Sequence, residues 1–133
     1  MSISDSIADM LTKIRNANMA RHEKVEIIPT KIKLEIVKIL KNEGYIKNFK
    51  KVTEKKKVSI RIFLKYTEKN DPIIHNIKRL STPGRRQYTK SQNIPRLFNG
   101  IGSIILSTSE MGITTGKKAR AKGIGGELLC AVW

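Results

Sequence analysis

The chain is poor in cysteine, aromatic rings and carboxylates, and each shortage removes a class of explanation. Cys130 is its one cysteine, so no internal disulfide and no cysteine-cluster metal site can form. A lone thiol fits a reducing compartment, and its place in the apolar run Leu128–Trp133 reads as a buried core thiol. His22 and His75 stand apart, without metal-ligand spacing. No apolar stretch approaches the roughly 20 residues needed to span a bilayer. The amino end, MSISDSIADML, has acids and no basic n-region, so neither a secretory signal nor an Arg-rich transit peptide is expected. Aromatics make up 5% of the chain against 39% hydrophobic residues, which leaves an aliphatic core.

The scarcity of acids says more. There are 11 Asp and Glu against 27 Lys and Arg, a net charge of +16 over 133 residues. That length suits one domain, or two small ones sharing an interface. Self-repulsion opposes compaction unless a polyanion neutralises the surplus. Nucleic acid is the first candidate, an anionic membrane surface the second, and a merely solvated basic face the third. The cations spread along the chain, which implies a basic surface on a folded body rather than a basic tail.

Hydrophobic spacing gives the element order. Ile7, Met10, Leu11 and Ile14 form one helical stripe, with Ser4 or Asp5 to cap it and Asn16–Asn18 to end it. Lys24–Ile28 reads as a strand. Thr30 is the expected N-cap of a second helix with Ile32, Ile36, Ile39 and Leu40 on its buried face, and Gly44 closes it. Tyr45–Val52 and Val58–Tyr66 read as strands joined through Glu54-Lys55-Lys56, the second with a clear period of two. Lys69–Pro72 is the linker candidate. Beyond it come strands over Ile74–Leu80 and Gln87–Thr89, a turn at Ser81–Gly84, and a helical turn over Ile94–Phe98. A buried strand over Ile101–Leu106, a short helix over Lys117–Ala121 and a last strand over Leu128–Trp133 complete the chain. The expected fold class is α+β, with an α-β-α-β-β domain over 1–67 and a mostly β domain with a short helix over 73–133.

Four places could carry function, and each has a plainer reading beside it. The hydroxyls of Ser107, Thr108 and Ser109 suit base edges, 2′-hydroxyls or phosphates, or a turn satisfying its own backbone. Gly123, Gly125 and Gly126 precede Glu127, and together they let another backbone approach, or make a tight turn with Glu127 in a salt bridge. In Ser81–Tyr88, the rigid Pro83-Gly84 turn precedes Arg86 and Tyr88, suited to phosphate forks and base stacking, or to a surface loop with Tyr88 packed on the core. Lys31 and Lys33 start the second helix against its dipole, which hints at an outside anion. Arg15 and Asn16 join this candidate set. Gly112–Lys118 falls one residue short of a phosphate loop and ends in Lys, and Gly100-Ile101-Gly102 lacks a third glycine. No carboxylate pair or nucleophile–base pair stands out, so no enzyme and no cofactor are expected.

The order of pieces resembles the small-subunit ribosomal protein S-eight family of bacterial and plastid type. Asp5–Ala17 (DSIADMLTKIRNA), Leu40–Ile46 (LKNEGYI), Ser81–Tyr88 (STPGRRQY), Ser107-Thr108-Ser109 and Gly125–Cys130 (GGELLC) carry the resemblance across essentially the whole chain. It implies two small α/β domains in tight contact and direct binding to the central domain of 16S-type ribosomal RNA early in assembly. The carboxyl-terminal domain is then the main contact surface, with Ser107, Thr108, Ser109, Gly125, Gly126, Glu127 and Tyr88 in the family's RNA-contacting positions. Neighbouring small-subunit proteins are implied partners, as is, for some bacterial members, a messenger RNA of their own operon. A membrane is not. The expected location is the small ribosomal subunit, in the cytoplasm or, for a plastid-encoded chain, the stroma. One stretch departs from the family pattern: Glu110–Ala119 has an extra residue and lacks the usual Asp or His near the start of the short helix. The alternatives are an RNA-modification factor and a generic basic nucleic-acid-binding protein.

Overall fold

The structure, a computed structural model, describes residues 5–96 and 102–133. It divides into two compact units: Asp9–His75, and Asn76–Trp133 with the amino-terminal stretch through Ala8. The fold is α+β, α-β-α-β-β followed by a mostly β region with one short helix.

Helix α1 (Ser6–Met19), whose first three residues belong to the second unit and the rest to the first, starts where Asp5 Oδ1 accepts from the Ala8 amide at 3.2 Å. Ser4 lies outside the described residues. The asparagines expected to end α1 sit inside it: the helix runs on to Met19, with Ala17 and Asn18 buried. It stops at Arg21, whose φ is +59°. The Arg21 amide donates to Asn18 O at 3.1 Å and the His22 amide to Ala17 O at 2.9 Å, a Schellman closure. The Arg21 guanidinium also donates to the Asn18 carbonyl at 3.2 Å and the Met19 carbonyl at 3.3 Å. A cation caps the dipole where glycine is usual.

Strand β1 (Lys24–Ile27) leads to α2 (Lys31–Asn42). Thr30 is its N-cap, accepting from the Lys33 amide at 3.2 Å, worth about 1 kcal/mol. Gly44, at φ +81°, closes its far end. The buried face is Lys33, Ile36, Val37 and Leu40, rotated from the expected stripe; Ile32 is exposed and Ile39 half-buried. Strands β2 (Ile46–Glu54) and β3 (Lys57–Leu64) form a hairpin, and β3 is central in the order β1-β3-β2, all antiparallel. Ile60, Ile62 and Leu64 are buried on one face of β3. The strand ends before Tyr66, which pairs with Pro72 in an isolated bridge. The polar stretch around Lys69–Pro72 is an ordered turn: the Thr67 amide donates to Asp71 O at 2.8 Å and the Ile73 amide to Lys65 O at 3.1 Å.

In the second unit, β8 (Gly126–Val132) is the spine. On one edge it pairs with β6 (Ser103–Thr108), and on the other with β4 (Ile77–Arg79) and the two-residue β5 (Tyr88–Thr89). Strand β7 (Gly112–Thr115), which the sequence pattern does not announce, completes the sheet against β6. Ile94 is extended rather than helical; a 3₁₀ turn precedes it at Ser91–Asn93, and Leu97 and Phe98 lie outside the described residues. Helix α3 (Gly116–Lys122) packs on β6 and β7, its Ala119 in a cluster with Ile94, Ile104, Leu106, Leu128 and Ala131. Thr115 caps it by accepting from the Lys118 amide at 3.3 Å, so the departure from the family pattern leaves a normal helix start.

The β2–β3 turn has Lys55 and Lys56 at φ +48° and +66°, the type I′ geometry that favours Asn-Gly. Replacing them by Asn and Gly should raise stability by about 1–2 kcal/mol in urea unfolding. A Lys55→Gln/Lys56→Gln control, which removes the same charge, should gain less. Burial pushes the Cys130 thiol up to about 12, slightly offset by Arg79. It should resist a disulfide reagent at pH 8 until the chain unfolds. Its folded pKa lies above the unfolded value, so its contribution to stability is complete below about pH 9 and is lost as pH rises towards 12. A Cys130→Ala chain should show a shallower alkaline decline.

Candidate nucleic-acid interface

Twelve of the sixteen candidate residues fall on the β8 unit, and β8 brings half of those together. Glu127 is not in a turn: Gly126 and Glu127 already belong to the strand. By register Glu127 lies between Tyr88 of β5 and Ser107 of β6. Its Oε2 accepts from the Ser81 hydroxyl at 2.5 Å and from Arg86 Nη1 at 3.1 Å. The fully buried Ser81 oxygen accepts in turn from the Gln87 amide at 3.1 Å, pinning the loop that carries Arg86. Pro83 and Gly84 sit at the tip of that loop, between Thr82 and Arg85, which exchange both backbone hydrogen bonds at 3.0 Å. The salt-bridge reading of Glu127 therefore describes the fold, and its partner is an arginine. The Arg86 side chain remains about half exposed while the carboxylate is largely covered. A hydrogen-bonded anchor so placed orients one nitrogen of the fork and leaves the guanidinium at the surface.

Tyr88 stands next to this group with 71% of its surface exposed, so it does not pack on the core. Two-residue β5 holds its backbone against β8. An exposed ring beside an oriented arginine is a stacking surface.

The glycines serve the protein's own backbone. A Cβ on Gly125 would lie 2.2 Å from Thr89 O, and one on Gly126 would lie 2.2 Å from Ser107 O. The close approach is thus made by β5 and β6, the second near the register shift in the β6–β8 pairing, where Leu129 of β8 is the extra residue. Gly123 ends α3 with φ +69°.

The Ser-Thr-Ser segment divides. Ser107 and Thr108 are the last residues of β6, not a loop. The buried Thr108 hydroxyl accepts from the Met111 amide at 2.9 Å and donates to Gly112 O at 2.9 Å, so it satisfies its own turn. Ser109 is exposed beyond the strand.

The other four candidates lie on the Asp9–His75 unit. Asn16 and Lys31 are exposed and Arg15 is half-buried. Lys33 is buried; desolvation lowers its pKa, Asp9 opposes that shift and Lys13 adds to it. Among the cations outside the candidate set, Lys117, Lys118 and Lys122 are exposed on α3, and Lys90 just after β5. Their signal in the sequence was the short basic run itself. Arg79 is not available: it donates to Asp5 at 3.0 Å and to Leu129 O at 2.7 Å. Among the described residues, no group of His, Cys, Asp and Glu is placed to hold a metal. No helix among them is long and apolar enough to cross a membrane.

The backbone approach at β8 is directly testable. Gly126→Ala should cost about 2 kcal/mol or more in urea unfolding, because the clash is with a carbonyl inside the sheet. Gly84→Ala, where nothing lies within 4 Å of the added carbon and φ is ordinary, should change stability by less than about 0.5 kcal/mol.

The family model described as Ribosomal protein S8 matches residues 5–133. Similar proteins include one from Treponema pallidum (strain Nichols), 55% identical over 133 residues, and one from Geobacillus kaustophilus (strain HTA426), 53% identical over 133 residues. A third, from Geotalea uraniireducens (strain Rf4), is 52% identical over 133 residues. In all three cases the match covers 100% of both chains, and each relative is described as small ribosomal subunit protein uS8.

Proposed function

The chain belongs to the Ribosomal protein S8 family, whose members are non-enzymatic constituents of the small ribosomal subunit, and on that premise we propose that it binds the central domain of 16S-type ribosomal RNA directly and holds its helices during assembly. The observation that carries this reading is the Ser81–Glu127–Arg86 cluster beside the exposed Tyr88. A largely covered carboxylate orients a half-exposed arginine next to an exposed ring, which is how a rigid surface presents one phosphate fork and one stacking face. The exposed cations Lys90, Lys117, Lys118 and Lys122 surround this cluster in sequence and supply phosphate neutralisation. Ser109 adds a hydroxyl for a sugar or base edge.

We take 1–67 and 73–133 as the two functional domains, the second being the main RNA-binding one. Arg15, Asn16 and Lys31 then serve a lesser contact on the first, with buried Lys33 placed to tune it rather than to reach the RNA. Neighbouring small-subunit proteins complete the set of partners. A messenger RNA from its own operon that copied the ribosomal site would meet the same face, which would make the protein a translational repressor.

Binding to a central-domain RNA fragment, measured by filter retention, tests this reading. Glu127→Gln and Ser109→Ala should each lose about 1–3 kcal/mol towards that fragment and far less towards unrelated RNA. Lys31→Ala should weaken all RNAs to a similar degree and reduce the salt slope by about 1. Equal weakening of every RNA by Glu127→Gln, with the thermal midpoint unchanged, would overturn the assignment. So would bulk duplex DNA competing as well as the fragment, the behaviour of a generic basic protein.

A further inference from the structure

The Asp9–His75 unit carries a second feature that the carboxyl-terminal cluster does not use. An open groove of about 900 Å³ lies at one end of its three-stranded sheet, at the upper end of the roughly 300–1,000 Å³ usual for ligand clefts. Arg21, Lys47, Lys50 and Lys65 line it together with the rings of Phe63 and Tyr66.

The sheet places these groups. Side chains alternate across β3, so Ile60, Ile62 and Leu64 are buried on one face and Arg61 and Phe63 stand on the other. In the register Phe63 lies between Lys24 of β1 and Asn48 of β2, and Arg61 between Glu26 and Lys50. Arg61 is held by Glu26 at 2.7 Å, so its charge is answered within the sheet. Phe63 is only half-buried, an apolar ring set among polar neighbours on the outer face of a central strand. The Tyr66 hydroxyl donates to the His22 carbonyl, which fixes the phenol and leaves its ring as the ligand-facing part.

A further observation points to a ligand: the lining is chemically mixed in a specific way. Four cations face a single carboxylate, Glu23, while Asn48 and Asn70 each offer a donor and an acceptor side by side. Cations call for an anion, rings for a flat face, and carboxamides for a base edge.

We propose that this groove takes an unpaired nucleotide of an RNA strand, its base laid against Phe63 and its flanking phosphates held by Lys47, Lys50 and Lys65. An antiparallel sheet with an aromatic side chain on its open face is a general solution for single-stranded RNA. An acidic peptide would satisfy the lysines but would leave the two rings and both carboxamides without a purpose, so RNA is the better fit. The site is separate from the Glu127 cluster and does not depend on it.

The test is a titration of the isotope-labelled full chain with single-stranded hexauridylate, followed by amide chemical shifts, which separates binding at the groove from binding on the β8 unit. The expected result is saturable shifts at Lys47–Lys50 and Phe63–Lys65. Phe63→Leu, which keeps an apolar side chain but removes the ring face, should weaken that binding about tenfold. Lys50→Gln should lower the slope of log K against log salt by about 0.7. Absence of shifts at the groove would overturn the proposal, as would unchanged affinity in Phe63→Leu. Hexaglutamate shifting the same amides at equal or lower concentration would also overturn it, in favour of an acidic protein partner. Should Phe63→Leu fail to fold, the wild-type shift map and the Lys50→Gln slope decide the matter alone.

Discussion

The carboxyl-terminal face depends on how near β5 and β6 come to β8 at Gly125 and Gly126. Each α-carbon there has a carbonyl oxygen where a side chain would begin. That proximity lets a two-residue strand, β5, hold its place against β8, although so few ladder bonds would not do so alone. With β5 fixed, Tyr88 and Glu127 become cross-strand neighbours, and the loop before β5 is short enough for Ser81 and Arg86 to reach one carboxylate. The absence of two methyl groups therefore decides where an arginine and a tyrosine point. This also explains why the same glycines look like a ligand-binding turn in the sequence. Glycine marks a close approach in either case, and the letters do not say whose backbone approaches.

Scarce carboxylates amplify this control. With 27 cations and 11 acids, most cations have no acid to pair with; Asp9 and Glu35 pair with lysines along their helices, and Asp5, Glu26 and Glu127 fix particular arginines. Asp5 and the Leu129 carbonyl immobilise Arg79 within the fold; Glu26, itself about half exposed, holds the mostly covered Arg61 on the β3 face; Glu127 orients Arg86 while leaving it half exposed. The difference lies in exposure. A covered pair is structural, because neither charge can be offered without leaving the other buried and unanswered. A covered carboxylate with an exposed arginine, as in Glu127–Arg86, gives directed positive charge at the surface.

Local signals were legible in the sequence, and non-local ones were not. The Asp5 and Thr30 caps, the Gly44 closure, and the β2–β3 hairpin each rest on a few consecutive residues, and all were readable. Asn16–Asn18 misled because polar residues suggest an ending, whereas the buried positions of Ala17 and Asn18 keep the helix going to Met19. Lys33, not Ile32, lies on the buried face of α2, which a hydrophobicity pattern cannot anticipate, since a lysine stem can line apolar surface. Strand β7 and the early start of β8 exist through pairing with β6 across the sheet. Of the site, the residue types were legible; the division of labour among Ser107, Thr108 and Ser109 was not, because it depends on where β6 ends.

Backbone strain shows what the sequence favours when two demands collide. Four described non-glycine residues have positive φ: Arg21, Lys55, Lys56 and Asn70. Asparagine tolerates that region through its short polar side chain, but arginine and lysine gain nothing from it locally and cost about 1–2 kcal/mol each against glycine. Three such positions amount to a sizeable part of the roughly 5–15 kcal/mol that holds a domain together. Arg21 recovers some of this by donating to two helix-terminal carbonyls. Lys55 and Lys56 are exposed at the tip of the hairpin, with no ion pair among those formed by described residues. A turn that would fold more easily as Asn-Gly instead places two positive charges at the exposed tip of the hairpin. Folding alone does not ask for that arrangement, whereas a protein that must meet a polyanion has a use for it.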